Sequence, residues 1–422
     1  FCMKMRLFTF VLLFGLMACS KGNNDSDPIE NPTPIEQWGK TLVGSDETIA
    51  AYPDLYVNYW EYTCDLTENP NVALRIRGEY PKARFFSFSL YNDERGDAIG
   101  GIDDYDIEPD EGCENPFLKT SSQKNVFTIY VIPPQMEESQ LAKIKSKNIC
   151  KVDEGVKRLT VCIRQYLGVD EYGGVELPAI EAIDIHSLKE VQAPLRANSN
   201  VMKFPVNYRY QASDNNPDMP FFLASKAAYY PNNSTDYLYA RTFLADDSVL
   251  VFKFIPVSYP KTVEAYKDAN ARYWSICFGS ALNTRSYYSV CDKEANVPDG
   301  ESCTFVVCMK QNQKLEDIRE KVKNQNAKGE HWQLIEWDRE KKDFEGTAIG
   351  NNIVTMYRQI LPNADWEYSI SRMKVTPYGD PVNNVTDPNK QLAHKALGEY
   401  GPYGFKFPTD EFLSDKFALP VY

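Results

Sequence analysis

An arginine, a serine and an aspartate recur as a set in this chain: Arg84, Ser87 and Asp110 in the first half, Arg272, Ser275 and Asp299 in the second. Arginine and serine stand second and fifth in runs otherwise dominated by aromatic and aliphatic residues, 83–90 and 271–278. Such runs fit largely buried strands. Side chains alternate along a strand, so Arg84 falls with Phe86, Phe88 and Leu90, and Arg272 with Trp274, Ile276 and Phe278. A guanidinium on an apolar face needs a carboxylate, and Asp110 or Asp299 in the following Pro-Asp turn is the natural partner. Two readings fit: an anion or carboxylate site, or a buried ion pair that fixes the loop to the sheet. Presence in both halves favours the ion pair, because a packing device survives duplication more readily than a catalytic group.

Other reactive types are sparser. The acidic run Asp104, Asp106, Glu108 and Asp110 offers hard oxygen ligands at a density that could hold Ca²⁺, although the EF-hand pattern and its glycine are absent and a solvated strand face accounts for the run more simply. Three widely separated histidines, His186, His331 and His394, give no zinc-ligand spacing. No Gly-x-Ser-x-Gly, phosphate-binding glycine loop or dinucleotide fingerprint occurs, and no cofactor is expected. Cys291 and Cys303 flank a loop and are the first choice for a disulfide, with Cys64 and Cys113 second; Cys162, Cys277 and Cys308 read as core thiols. Of 55 aromatic residues many must be core, but Tyr230, Tyr237, Tyr239, Trp332, Trp337 and Trp366 fall in segments where a ring could stack on a sugar or clamp a small ligand. The alternative is that they cover sandwich edges and a domain interface.

The elements that must position these residues occur twice. Upstream of the arginine runs, 72–77 followed by Tyr80-Pro81 answers to 249–254 followed by Tyr259-Pro260. Downstream, Pro109-Asp110 answers to Pro298-Asp299, strand 127–132 to 305–309, and strand 159–166 with Arg164-Gln165 to strand 353–360 with Arg358-Gln359. Between these strands each copy carries an amphipathic helix with acidic residues early and basic residues late, one over 136–148, the other around Leu315, Ile318 and Val322. The fold class is mainly β: two tandem, internally duplicated, jelly-roll-like β-sandwich domains with a few short helices.

These motifs resemble a group of bacterial proteins, catalogued as domains of unknown function, that carry one or both of two β-sandwich units. The resemblance rests on Tyr80-Pro81-Lys82-Ala83-Arg84-Phe85-Phe86-Ser87, on Pro109-Asp110 leading to Asn115-Pro116-Phe117, on Arg164-Gln165-Tyr166-Leu167, and on Arg272-Tyr273-Trp274-Ser275, Asp299-Gly300 and Tyr357-Arg358. It spans most of residues 50–375 and implies a fold rather than a reaction. The second copy departs from the pattern where Gly279-Ser280 replaces Tyr91-Asn92.

At the N-terminus, basic Lys4 and Arg6, an apolar run from Leu7 to Met17, and Leu16-Met17-Ala18-Cys19 have the form of a lipoprotein signal. Residues 1–18 are read as the signal peptide, Cys19 as the lipidated residue, 19–40 as a flexible tether, 41–195 and 196–378 as the two domains, and 379–422 as a tail packed on the body. The chain carries a formal charge of −13, and an acidic surface with no basic patch argues against nucleic acid and anionic lipid surfaces as partners. The expected address is the cell envelope, lipid-anchored at the outer membrane, with either face open. The expected role is a non-catalytic module for a small-molecule, glycan or protein ligand; the alternative is a hydrolase acting on a glycan or lipid with paired carboxylates in the interdomain cleft.

Overall fold

Alternating and continuous apolar runs become twenty strands among the described residues of this computed structural model, which are 34–43, 52–120, 125–199, 217–224, 230–343, 346–373 and 392–419. The expected lipidation site, Cys19, lies outside them. The strands form four five-stranded sheets. A first inner sheet runs β1 (Gly39–Val43), β2 (Val57–Asp65), β8 (Arg158–Tyr166), β4 (Phe85–Asn92), β5 (Asp97–Asp103). A first outer sheet runs β10 (Glu190–Val191), β9 (Ala179–Asp184), β3 (Val72–Glu79), β6 (Val126–Ile132), β7 (Ile149–Lys151). The second half repeats both orders. Its inner sheet is β12 (Phe222–Leu223), β13 (Thr235–Phe243), β19 (Asn352–Ile360), β15 (Tyr273–Ser280), β16 (Ser286–Cys291). Its outer sheet is β11 (Asp218–Pro220), β20 (Tyr403–Pro408), β14 (Ser248–Phe254), β17 (Cys303–Met309), β18 (His331–Trp337). The last strand of each outer sheet, β7 and β18, pairs in parallel with its neighbour.

Each half is a mainly β sandwich, and the two lie back to back within one compact unit. The first core fills the space between inner and outer sheets with Trp60, Phe86, Phe88, Leu90, Phe127 and Ile163. The second does so with Phe252, Trp274, Ile276, Phe305 and Tyr357, the rings of Phe252 and Phe305 stacking at 4.9 Å. A third apolar layer joins the inner sheets through Val57, Tyr59, Phe85, Tyr166, Tyr273 and Ile360, with Tyr166 and Tyr273 edge to face at 5.2 Å. Both faces of each inner sheet are therefore covered, which is why β4 and β15 are buried at every position rather than at alternate ones.

Three expectations change. The tether ends earlier than residue 40: a helical turn, Pro34–Gln37, precedes buried Trp38, whose Nε1 donates to the Pro178 carbonyl at 2.7 Å, and β1 starts at Gly39. The segment read as a packed tail supplies β20, which lies between β11 and β14 and occupies the place that β9 holds in the first half. The first amphipathic helix shrinks to Glu138–Leu141, whereas its counterpart spans Leu315–Ala327 and buries Ile318 and Val322 on the outer sheet.

The cysteines also depart from the expected pairing. All eight of the described cysteines are free. Cys291 ends β16 in the layer between inner sheets, and Cys303 opens β17 inside the second sandwich core, so the sandwich separates two residues that sequence places on one loop. Cys64 is enclosed in the first core, away from the half-buried loop residue Cys113. A thiol-reactive label applied under denaturing conditions is expected to modify these eight cysteines equally with and without prior reduction; a smaller number without reduction would demonstrate a bridge.

Candidate functional site

The sequence-predicted arginines meet at the seam between the inner sheets. Each precedes its strand and is fixed by its own backbone: Arg84 N–H donates to the Tyr166 carbonyl at 2.9 Å and Arg272 N–H to the Ile360 carbonyl at 2.8 Å. From there both side chains leave their own sandwich. Arg84 Nη1 lies 3.3 Å from Asp292 Oδ2, and Arg272 Nη1 lies 3.1 Å from Asp104 Oδ2. Asp104 directly follows β5 and Asp292 directly follows β16, so the partners are equivalent residues exchanged between halves. Each carboxylate also accepts a backbone N–H of its own half, Asp104 from Phe86 at 3.0 Å and Asp292 from Trp274 at 3.2 Å. Tyr266 stacks under the Arg272 guanidinium at 4.0 Å, and Tyr259 lies 5.3 Å from that of Arg84. Burial outweighs the attraction of one guanidinium, pushing Asp104 up to about 7 and Asp292 up to about 6.

A second pair of arginines, Arg164 and Arg358, occupies the middle of the seam, and both are almost fully buried. Each lies against the equivalent tyrosine on the neighbouring strand, Arg164 at 5.2 Å from Tyr59 and Arg358 at 5.7 Å from Tyr237. Each donates through Nη2 to a tyrosine carbonyl, Arg164 to Tyr230 and Arg358 to Tyr52. Beyond this the halves differ. Arg164 Nε and Nη2 donate to Tyr91 Oη at 3.2 and 2.5 Å. Arg358 has the charge of buried Asp54 nearby instead, and Asp54 Oδ2 accepts from Tyr273 Oη at 3.0 Å and Ser275 Oγ at 2.5 Å. At the edge of the seam buried Asp93 accepts from Arg158, Thr160, Ser199 and Tyr230.

The expected Arg-Ser-Asp triads do not assemble. Asp110 pairs with Arg77 at 3.5 Å and accepts from Thr128 Oγ1 at 3.0 Å, while Asp299 is exposed in its turn. The carboxylates that answer the arginines, Asp104 and Asp292, come from the other half, a pairing no local spacing can reveal. Ser275 bonds Asp54, and Ser87 Oγ has no hydrogen-bond partner among the described residues. The calcium run is pulled apart: Asp104 points into the seam, Asp106 is exposed, and Glu108 pairs with Lys147 at 2.6 Å. Among the described residues no group of three or more His, Cys, Asp or Glu side chains could hold a metal ion.

Nor do the six candidate aromatics converge. Tyr230 is buried and donates to Asp93, and Tyr237 lies over Arg358. Tyr239 meets Phe222, Trp337 is enclosed with its Nε1 on the Gly350 carbonyl at 2.7 Å, and Trp366 packs on Tyr400. Trp332 lines an open hollow of about 310 Å³ with Asn296, Glu330 and His331, at the end of the Leu315–Ala327 helix. Sequence reasoning missed Asp54 and Asp93 and gave Arg164, Arg358 and Asp292 no role in the seam. The signal for the arginines was their place in a duplicated Arg-Gln pair inside an apolar strand.

No family model matches the chain, and no curated protein matches it. Among solved structures, an uncharacterised protein from Burkholderia cenocepacia matches with 10% identity and a TM-score of 0.48, over 88% of this chain and 81% of that one.

Removing one partner from a buried pair leaves the other charge uncompensated, at a cost of about 3–5 kcal/mol. Asp292→Asn and Arg84→Met are each expected to destabilise the protein by about that amount in urea unfolding, and the double variant by clearly less than their sum. Additive losses would mean that the two groups do not interact. For Asp104 the folded value of about 7 exceeds the ordinary 3.8, so the folded protein holds a proton that the unfolded chain releases. Its contribution is complete below about pH 4 and is lost as pH rises through 7. The deficit of Asp104→Asn relative to the native protein should therefore narrow between pH 4 and 7; a widening deficit would show that Arg272 keeps the carboxylate ionised.

Proposed function

We propose that this chain is a non-catalytic binding or interaction module of the cell envelope, held at the outer membrane by acyl chains on Cys19, and that it belongs with the tandem β-sandwich group its motifs resemble. The observation that carries the non-catalytic part is how the seam uses its acids. Asp54, Asp93, Asp104 and Asp292 are all buried, and each accepts hydrogen bonds from arginine, hydroxyl or backbone donors. A hydrolase of the alternative kind needs two carboxyl groups facing a space that admits substrate and water. Here that space between the halves is taken by Tyr59, Phe85, Tyr166, Tyr273 and Ile360.

The anchoring part rests on the Leu16-Met17-Ala18-Cys19 pattern and on the acyl chemistry it directs, each buried methylene contributing about 0.8 kcal/mol to membrane binding. No helix among the described residues is long and apolar enough to cross a membrane. The hollow beside Trp332 is the place where a small ligand such as a sugar would meet an aromatic face.

Cells expressing the native chain and fed an alkyne fatty acid should yield labelled protein in the membrane fraction, whereas Cys19→Ala should lose the label and leave that fraction; label retained in the variant would rule out this anchor. On the body itself, a panel of oligosaccharides and fatty acids should raise the melting temperature for one ligand class with no product formed on incubation. Turnover of that ligand would establish the hydrolase instead.

A further inference from the structure

We infer that the seam holds a small monovalent anion of halide size, bound by Arg164, Ser87 and Asn232. The inference comes from comparing the two copies of one site. In the second half, buried Arg358 feels the charge of the Asp54 carboxylate, and Asp54 accepts the Ser275 hydroxyl at 2.5 Å. The equivalent of Ser275 is Ser87, since each pairs across the ladder with its own seam arginine, Ser275 with Arg358 and Ser87 with Arg164.

The equivalent of Asp54 is Asn232, and local geometry fixes the match. Asp54 N–H donates to Tyr59 Oη at 3.4 Å and its Oδ1 accepts from Tyr56 N–H at 3.1 Å. Asn232 N–H donates to Tyr237 Oη at 3.0 Å and its Oδ1 accepts from Ser234 N–H at 3.0 Å. The turns are the same, but one carries a carboxylate and the other a neutral amide.

The substitution leaves three consequences together. Arg164, 6% exposed, makes no ion pair among the described residues; its Nε and Nη2 are taken by the neutral Tyr91 hydroxyl and the Tyr230 carbonyl, and Nη1 makes no hydrogen bond among them. Ser87 Oγ, 1% exposed, has no hydrogen-bond partner among the described residues. Asn232, also 1% exposed, has the neutral Tyr166 hydroxyl beside its side chain, and its Nδ2 meets no acceptor in full hydrogen-bonding geometry among the described residues. A buried guanidinium without a counter-charge and two buried donors without acceptors are each costly, and all three are relieved by one acceptor bearing a single negative charge. That acceptor stands where the Asp54 carboxylate stands in the other half. Tyr59, Tyr91 and Tyr166 belong to the apolar layer here, the first two rings 5.2 and 5.8 Å from the Arg164 guanidinium, and a halide is the acceptor that asks the least room among them.

The test uses bromide as the probe and the whole body of the protein. Protein refolded and crystallised in sodium bromide should show one anomalous peak bounded by Arg164, Ser87 and Asn232. At equal ionic strength, melting in 0.2 M chloride should exceed melting in gluconate by about 2 °C or more, because an ion bound only to the folded state stabilises it by mass action. Asn232→Asp, which installs the carboxylate the other half already has, should abolish both the peak and the chloride-specific shift while keeping or raising the melting temperature in gluconate. Ser87→Ala should weaken the shift, and it decides the matter if Asn232→Asp fails to fold. No peak at this position in the native protein, or a chloride shift unchanged in the variants that fold, overturns the proposal.

Discussion

A guanidinium withdrawn from water has to be met by a carboxylate, and in this protein each half meets the other's. Arg84 reaches Asp292 and Arg272 reaches Asp104, while each carboxylate keeps a backbone bond at home, on Trp274 or Phe86. The pattern, residue i of one copy to j of the other and j to i, is that of an isologous interface between two like subunits, here contained in one chain. Neither sandwich satisfies its own strand-leading arginine. The inner sheets are therefore tied to one relative register, and the apolar layer of Phe85, Tyr166, Tyr273 and Ile360 is held in place around the pairs.

Within that frame the copies have diverged by exchanging bulk and charge at matched positions. Tyr91 of β4 packs on Tyr230 at 5.1 Å and supplies a hydroxyl to Arg164. Its counterpart in β15 is Gly279, and a side chain there would come within 2.5 Å of the Tyr52 ring and 2.6 Å of the Arg285 carbonyl. Tyr52 is the counterpart of Tyr230, each giving its carbonyl to the seam arginine. The glycine that breaks the repeated motif is thus a response to a ring that lies closer on that side. Where the hydroxyl is lost, Arg358 has the charge of the Asp54 carboxylate nearby, a charge that Arg164 lacks because Asn232 stands at the equivalent position.

Much of the architecture was legible because apolar strands declare themselves. The paired runs around Phe86, Ile129, Trp274 and Val306 are β4, β6, β15 and β17, and the shared order of the two halves follows the repeat. What escaped was set by contacts distant in sequence. β20 could not be matched to β9 because 42 residues, 361–402, intervene between it and β19, against twelve, 167–178, between β8 and β9. The partner of Arg84 could not be found because it lies 208 positions away, and the nearer Asp110 had its own partner in Arg77. Cys291 and Cys303 are neighbours along the chain but belong to different layers, a separation that spacing alone does not disclose.

Buried ion pairs are poor sources of net stability, since desolvating both charges offsets most of their attraction, and apolar residues of the same shape often serve as well. Their presence in both halves therefore needs another account. Two fully covered inner sheets made only of apolar residues could slide on one another with little loss, because apolar contact is not directional. An arginine that must meet one particular aspartate, which itself must stay on one backbone amide, allows a single alignment. Loss of either contact would leave a charge or an amide unpaired in the interior. The crossed pairs are best understood as the device that makes one arrangement of the sandwiches far better than its neighbours.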